Sequence, residues 1–161
     1  MNTNICGHEI FEMALQIERK GQHFYSAMAQ QADNVHLRDG FHWLANDEKK
    51  HIADFEKIRR SIEKIKTSDI DNWAEVSLYF NALIDTKVFP ASTDGNSLAQ
   101  ELKDEIGSIH ISISIEKDTI LFLQELSRWV NPGYKKNIEK LIDEEKGHIL
   151  KLLQMKKEII E

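Results

Sequence analysis

Two short stretches of the chain carry a glutamate and a histidine three residues apart. Glu48 and His51 lie in DEKKHI, and Glu145 and His148 lie in EEKGHI. In a helix of 3.6 residues per turn, such a pair shares one face, so both side chains can reach one metal ion. The zinc-protease motif is excluded, because it requires a histidine directly before the glutamate. A single Glu-x-x-His pair is usually found on an exposed surface, so the surrounding pattern decides its meaning.

Both pairs lie within a helical pattern of apolar residues. Apolar side chains recur at steps of three and four on either side, which is typical of a helix packed in a bundle. Two further segments show the same pattern with one glutamate each, Glu18 and Glu116. The predicted inward positions are Phe11, Ala14, Glu18, Gly21, Tyr25 and Met28; Phe41, Leu44, Glu48, His51, Phe55, Ile58, Ile62 and Ile65; Ile109, Ser112, Glu116, Thr119, Leu123, Leu126 and Val130; and Ile138, Leu141, Glu145, His148, Leu152, Met155 and Ile159.

The two halves of the chain resemble each other. IERKGQHF at 17–24 is similar to IEKDTILF at 115–122, and DEKKHI at 47–52 is similar to EEKGHI at 144–149. Glu18 and Glu48 are 30 residues apart (48 minus 18), and Glu116 and Glu145 are 29 apart (145 minus 116). In two similar hairpins all four glutamates can therefore lie at the same height and face one another.

Four carboxylates inside a helical core need neutralisation. Burying one unpaired charge costs several kcal/mol, whereas a whole domain has a net stability of only about 5–15 kcal/mol. The neighbouring cations, Arg19, Lys49, Lys50, Lys117 and Lys146, are predicted to point to the outer faces. Two divalent cations would balance the four negative charges, and two neutral imidazoles would complete the ligands. Oxygen-rich ligation with one nitrogen per metal favours iron or manganese, and we predict iron because of its two redox states.

The elements that position these residues are predicted to be helices. The chain has only 2 prolines and 7 glycines, and alternation typical of a strand is confined to SIHISISI at 108–115. We predict four long helices at about 8–32, 35–66, 97–130 and 133–160, with short breaks at Asn34 and at Asn131-Pro132-Gly133. Short connections imply two antiparallel hairpins. The intervening segment, with a short helix and a break from Pro90 to Gly95, is predicted to cross over between them.

Composition limits the class of protein. The 161 residues suit one domain spanning 1–161, and the net charge of −6 argues against nucleic acid or an anionic membrane surface as partner. Cys6 is the single cysteine, so the chain has no disulfide and no Cys-x-x-Cys metal site. We find no signal peptide and no apolar run near the roughly 18 residues of a membrane span, so we predict a cytoplasmic protein.

These features resemble the ferritin-like superfamily, and within it the rubrerythrin group. IERKGQHFYSAMA, in which Tyr25 follows Glu18 by seven residues, resembles the first helix of that group. IEKDTILFLQEL and DEEKGHILKLL resemble its third and fourth helices, and the similarity covers nearly the whole chain. The resemblance implies an all-α, ferritin-like four-helix bundle whose facing helices hold two iron ions, with manganese as the alternative metal.

The resemblance also implies roles for individual residues. Glu48 and Glu145 would bridge the two metals, and the terminal ligands would be Glu18, His51, Glu116 and His148. Asp47 and Glu144 would lie just outside the ligands and orient the opposite histidines. Tyr25 is a candidate catalytic residue, for hydrogen bonding or radical chemistry at the site, with a plain core position as the alternative.

The chain departs from rubrerythrins in two respects. Rubrerythrins have a second glutamate three residues from the first in the third helix, where this chain has Ile113 and Thr119. The site is therefore closer to the symmetric six-ligand type of bacterioferritin. Many rubrerythrins also carry a rubredoxin domain, for which this chain lacks the cysteines. We therefore expect a separate electron donor, such as a rubredoxin-like protein.

The leading functional hypothesis is a non-haem di-iron oxidoreductase that reduces H2O2 or O2 with electrons from that donor. The alternative is a ferroxidase that serves iron storage or delivery at the same site. No fifth helix is recognisable, which argues against a self-assembling cage of the bacterioferritin kind. We expect a homodimer, with a cage or an encapsulating shell as the alternative. A structural bundle with a vestigial site is the third possibility, and the intact ligand set argues against it. Trp43, Trp73 and Trp129 are predicted to cover bundle ends or a subunit interface.

Overall fold

In a computed structural model of the protein, the described residues are 7–62, 73–85, 94–130 and 132–161. They form six helices and, within these ranges, no strand. The helices are α1 Gly7–Gln31, α2 Val35–Ile62, α3 Trp73–Ile84, α4 Gly95–Glu101, α5 Glu105–Trp129 and α6 Pro132–Ile160. The predicted all-α bundle of four long helices is confirmed. The SIHISISI segment is helical, because Ser108, Ile109, Ser112 and Ile115 are its buried positions and recur with the helical period.

The long helices pair as predicted. α1 packs on α2 and α5 packs on α6, while α2 also contacts α6 and α1 contacts α5. The first hairpin turns at Asn34, whose side-chain oxygen accepts hydrogen bonds from the backbone N–H groups of His36 at 2.9 Å and Leu37 at 3.3 Å. This caps the start of α2. The second hairpin leads into α6 with Pro132 as its first residue, where a missing N–H costs no hydrogen bond.

The crossover has one helix more than predicted. The predicted short helix is α3, which packs on α5 and α1. The predicted continuous helix over 97–130 is wrong, because the chain leaves the helical conformation between α4 and α5. There the carboxylate of Asp104 accepts from the backbone N–H of Gly107 at 2.6 Å and caps α5. Pro90 and residues 63–66, the predicted end of the second helix, lie outside the described residues.

The short helix α4 packs on α1 through Gly95. A Cβ atom at this position would collide with the backbone carbonyl oxygen of Lys20 and would lie 2.5 Å from the backbone nitrogen of Phe24. Glycine therefore allows the two backbones to approach closely. α4 does not continue into α5, because its C-cap residue Leu102 has an extended backbone (φ −92°, ψ 113°).

A polar layer separates two apolar clusters inside the bundle. One cluster includes Phe11, Phe55, Phe122 and Leu141, and the other includes Phe24, Phe41, Ile109, Leu152 and Met155. The buried polar layer consists mainly of the glutamates and histidines of α1, α2, α5 and α6. Of the predicted inward positions whose side chains are described, only Ile159 is partly buried and all others are buried. The five predicted outer cations are exposed. Among the described residues, no helix is both long and apolar enough to cross a membrane.

Candidate metal centre

The structure brings all six predicted ligands together between the four long helices. α1 supplies Glu18 and α5 supplies Glu116, while α2 and α6 each supply a Glu-x-x-His pair. Each of the six residues exposes 3% of its surface or less: Glu18, Glu48, His51, Glu116, Glu145 and His148. The pairs share one face of their helices because the spacing of three residues nearly completes a helical turn.

The carboxylates of Glu48 and Glu145 each lie close to both histidines. Nδ1 of His51 lies 2.8 Å from Glu145 Oε1 and 3.7 Å from Glu48 Oε2. Nδ1 of His148 lies 2.9 Å from Glu145 Oε2 and 3.4 Å from Glu48 Oε1. The two imidazole rings are stacked with centroids 5.2 Å apart. Glu48 and Glu145 thus offer one oxygen to each side of the site.

The other two glutamates are each near one histidine. Glu18 Oε2 lies 3.3 Å from Nδ1 of His51, and Glu116 Oε1 lies 3.5 Å from Nδ1 of His148. This gives two shared carboxylates and two one-sided carboxylates, the arrangement that the resemblance implied for bridging and terminal ligands.

The hydrogen bonding of the site fits a pair of cations. Both carboxylate oxygens of Glu18 and of Glu145 are buried without a hydrogen-bond partner, and so is Nδ1 of His51 and His148. An unsatisfied buried polar group costs about 1–3 kcal/mol, so this many in one layer would destabilise the bundle. Oxygen and imidazole-nitrogen atoms directed at a common centre are the donor set that iron and manganese accept.

Burial and neighbouring carboxylates shift the pKa values of the groups in this layer. Burial, together with the charges of Glu48 and Glu145, raises the pKa of Glu18 well above its ordinary value. Burial and the charge of Glu145 do the same to the pKa of Glu116. Burial alone would lower the pKa of His51, but the close carboxylates, that of Glu145 first, outweigh it and raise the pKa. These shifts favour proton binding by the layer in the absence of cations, so protons and cations compete for it.

Asp47 and Glu144 lie on the outer side of the histidines, each facing the opposite hairpin. Asp47 Oδ2 accepts a hydrogen bond from Nε2 of His148 at 3.0 Å. Glu144 Oε2 lies 3.3 Å from Nε2 of His51, close enough for an ion pair but without a hydrogen bond. A carboxylate that accepts from Nε2–H leaves Nδ1 free to bind a metal. Burial opposes ionisation of Asp47, but Lys50 and His148 outweigh it and hold its pKa below the ordinary value.

Tyr25 adds a hydroxyl group to one side of the site. Its ring is fully buried, and its hydroxyl donates a hydrogen bond to Oε1 of Glu116. Burial, with the nearby charge of Glu116, raises the pKa of Tyr25 well above its ordinary value, so the phenol keeps its proton. The equivalent position in the other half of the chain is Leu123 (25 plus 98), so that half supplies no equivalent hydroxyl group.

The sequence did not predict that Trp43 contacts the site. Its ring lies edge-on against the imidazole of His148, with centroids 5.6 Å apart and an interplanar angle of 83°. Trp43 is 46% exposed. The one available signal was its spacing of four residues from Asp47, which places both on one face of α2.

The comparisons with known proteins agree with this geometry. A family described as Rubrerythrin matches residues 9–156. The chain is also similar to the crystal structure, at 2.30 Å, of a candidate ferritin-like diiron-carboxylate protein from Thermotoga maritima. The TM-score is 0.66 at 28% sequence identity, and the match covers 96% of each chain. No curated protein matches the chain.

Proposed function

Since this chain belongs to the rubrerythrin family, we propose that it is a non-haem di-iron oxidoreductase that reduces hydrogen peroxide, or O2, with electrons from a separate donor. The observation that carries this proposal is the buried layer of inward-facing carboxylates and imidazoles, several of them without hydrogen-bond partners. When bound, a ferrous pair would supply the electrons that break the O–O bond.

The six residues would hold the pair as follows. His51 and Glu18 would bind one iron, and His148 and Glu116 would bind the other. Glu48 and Glu145 would be shared, since each has one oxygen near each imidazole. Four carboxylates balance two divalent ions, and one nitrogen per metal suits iron, with manganese as the alternative.

The remaining residues position ligands and hold protons. Asp47 and Glu144 would hold the histidines with Nδ1 inward. Tyr25 keeps a proton on its hydroxyl oxygen, directed at Glu116, and this makes Tyr25 the candidate catalytic residue. The two apolar clusters on either side of the layer exclude bulk water. Reduction of one H2O2 consumes two electrons and two protons and yields two water molecules.

The electrons must come from outside the described site. Cys6 is the single cysteine in the sequence, so the chain cannot build a cysteine-ligated iron centre of its own. We therefore expect a rubredoxin-like protein as donor. A homodimer and a cytoplasmic location remain predictions, which size in solution and cell fractionation would test.

Anaerobic loading with Fe(II), followed by reoxidation, tests the proposal. We expect two irons per chain and faster reoxidation by H2O2 than by O2 at equal concentration. Uptake far beyond two irons per chain would instead support the ferroxidase and storage alternative. The double variant Glu48→Ala/Glu145→Ala is the control, because it removes both shared carboxylates. Absence of iron binding, or binding that survives this double substitution, would contradict both functions.

A further inference from the structure

Trp43 is an exposed aromatic side chain in direct contact with a buried ligand histidine. The edge-to-face contact with His148 joins a ring that is 46% exposed to one that is fully buried. Nδ1 of His148 faces the carboxylates, while its Nε2 is hydrogen-bonded to Asp47. A path of two touching π systems therefore leads from solvent to an atom that would bind a metal.

The internal duplication shows that this contact is not required by the fold. The offset between the second and fourth long helices is 97 residues (145 minus 48), and the position equivalent to Trp43 is Lys140 (43 plus 97). Lys140 is exposed and its Nζ lies 3.2 Å from Glu144 Oε1. The His51 side is thus lined by an ion pair, and the His148 side by an aromatic ring.

We propose that Trp43 is the residue through which electrons enter the site from a one-electron carrier protein. This inference rests on the proposed function. An indole has a large apolar face for a partner, and tryptophan is enriched among the residues that dominate protein–protein binding energy. Its contact with His148 brings the carrier's electron to a ligand of the site with no further side chain between. Two reduced carriers are oxidised for each H2O2 reduced, with two protons from solvent, and two water molecules form.

Reduction of the oxidised, iron-loaded protein by reduced rubredoxin measures this entry directly. In anaerobic stopped-flow experiments, Trp43→Leu should lower the second-order rate constant about thirtyfold, the loss expected when a central aromatic contact is truncated. Trp43→Phe should retain most of the rate because it keeps a ring against His148. Trp129→Leu is the matched control, since Trp129 is 38% exposed but donates its indole N–H to Glu125. It should behave as the wild type.

Fluorescence provides a measurement that does not depend on turnover. Titration of the metal-free protein with Co2+ should quench tryptophan emission, because an ion on Nδ1 of His148 would lie behind the ring that Trp43 touches. Trp43→Phe should remove this quenching, and Trp129→Phe should keep it. Quenching that persists in Trp43→Phe would overturn the inference.

The kinetic results separate the two proposals. Protein reduced with dithionite needs no carrier, so all the Trp43 variants should react with H2O2 at the wild-type rate and bind two irons. If the dithionite-reduced wild type reacts with neither H2O2 nor O2, the proposed function is wrong. If it reacts, but Trp43→Leu accepts electrons from rubredoxin at the wild-type rate, or the wild type accepts none, the role of Trp43 is wrong.

Discussion

Replacing Glu18 by leucine should stabilise the metal-free protein. Glu18 is 1% exposed, and neither of its carboxylate oxygens has a hydrogen-bond partner. Leucine fills the position with an apolar side chain and removes the unsatisfied group, which should raise the free energy of unfolding by about 1–3 kcal/mol. For a chain of this length, each kcal/mol corresponds to a rise in Tm of about 2–4 °C.

The same substitution should have the opposite effect when metal is present. An ion at a hundred times its Kd stabilises the folded state by about 2.7 kcal/mol per site. Glu18→Leu removes a carboxylate from the His51 side and should lose at least that site's contribution. The advantage of the variant should therefore be largely lost, or reversed, in the metal-loaded protein.

The sign of the pH dependence follows from the raised pKa of Glu18. Burial is the main cause of this shift from the ordinary value of 4.5. A carboxyl group with a raised folded-state pKa binds its proton more tightly when folded, so its cost is largest at neutral pH and disappears below its unfolded pKa. The advantage of Glu18→Leu over the metal-free wild type should accordingly shrink as the pH falls towards 4.5.

Anaerobic unfolding in urea, with and without Co2+, measures these differences. Gln16→Leu is the control, because Gln16 is an exposed position of the same helix and should change neither state by more than about 0.5 kcal/mol. The reasoning is refuted if metal-free Glu18→Leu is less stable than the wild type, or if Co2+ stabilises both proteins equally.

Further substitutions address the surroundings of the site. Asp47→Asn should lower the affinity for Co2+ about 10–100-fold in a chelator competition, because His148 loses the carboxylate that orients its ring. An unchanged affinity would contradict the orienting role of Asp47. Tyr25→Phe should cost about 1–3 kcal/mol in urea unfolding of the metal-free protein, since a buried hydrogen bond to Glu116 is lost. The Tyr25→Phe protein should still bind two irons per chain but should be reoxidised more slowly by H2O2. An unchanged rate would support the alternative that Tyr25 is only a core packing residue. Gly147→Ala should stabilise by up to about 1 kcal/mol, because a Cβ there meets nothing within 4 Å. Gly95→Ala should destabilise by about 1–3 kcal/mol through its collision with the backbone of α1, and equal Tm values for these two variants would contradict the packing of α4.

The sequence places the candidate ligands on the inward faces of their helices because they share the period of the apolar core positions. Glu48 and His51 occupy inward positions of a pattern that is otherwise apolar, so their burial follows from the helix itself. The opposing glutamates could be placed at one height because the two halves are duplicated. The distances among these atoms, by contrast, depend on how α2 packs against α6.

The features that the sequence does not predict arise from contacts between helices. The break before α5 spans Leu102, Lys103 and Asp104, of which the first two residues do not oppose a helix on their own. The cap at Asp104 marks the start of α5, and α4 packs closely on α1 at Gly95; of these two features only the aspartate is visible as a local signal. The contact of Trp43 with His148 likewise depends on the rotation of α2 relative to α6, which a periodic pattern fixes only coarsely.

Anomalous diffraction tests the central claim most directly. Crystals of the protein loaded anaerobically with Fe(II) should show two iron peaks per chain in data collected at the iron absorption edge. One peak should lie beside Nδ1 of His51 and the other beside Nδ1 of His148, with the carboxylates of Glu48 and Glu145 between them. A single peak, no peak, or iron bound only outside the polar layer would contradict the assignment of a di-iron centre.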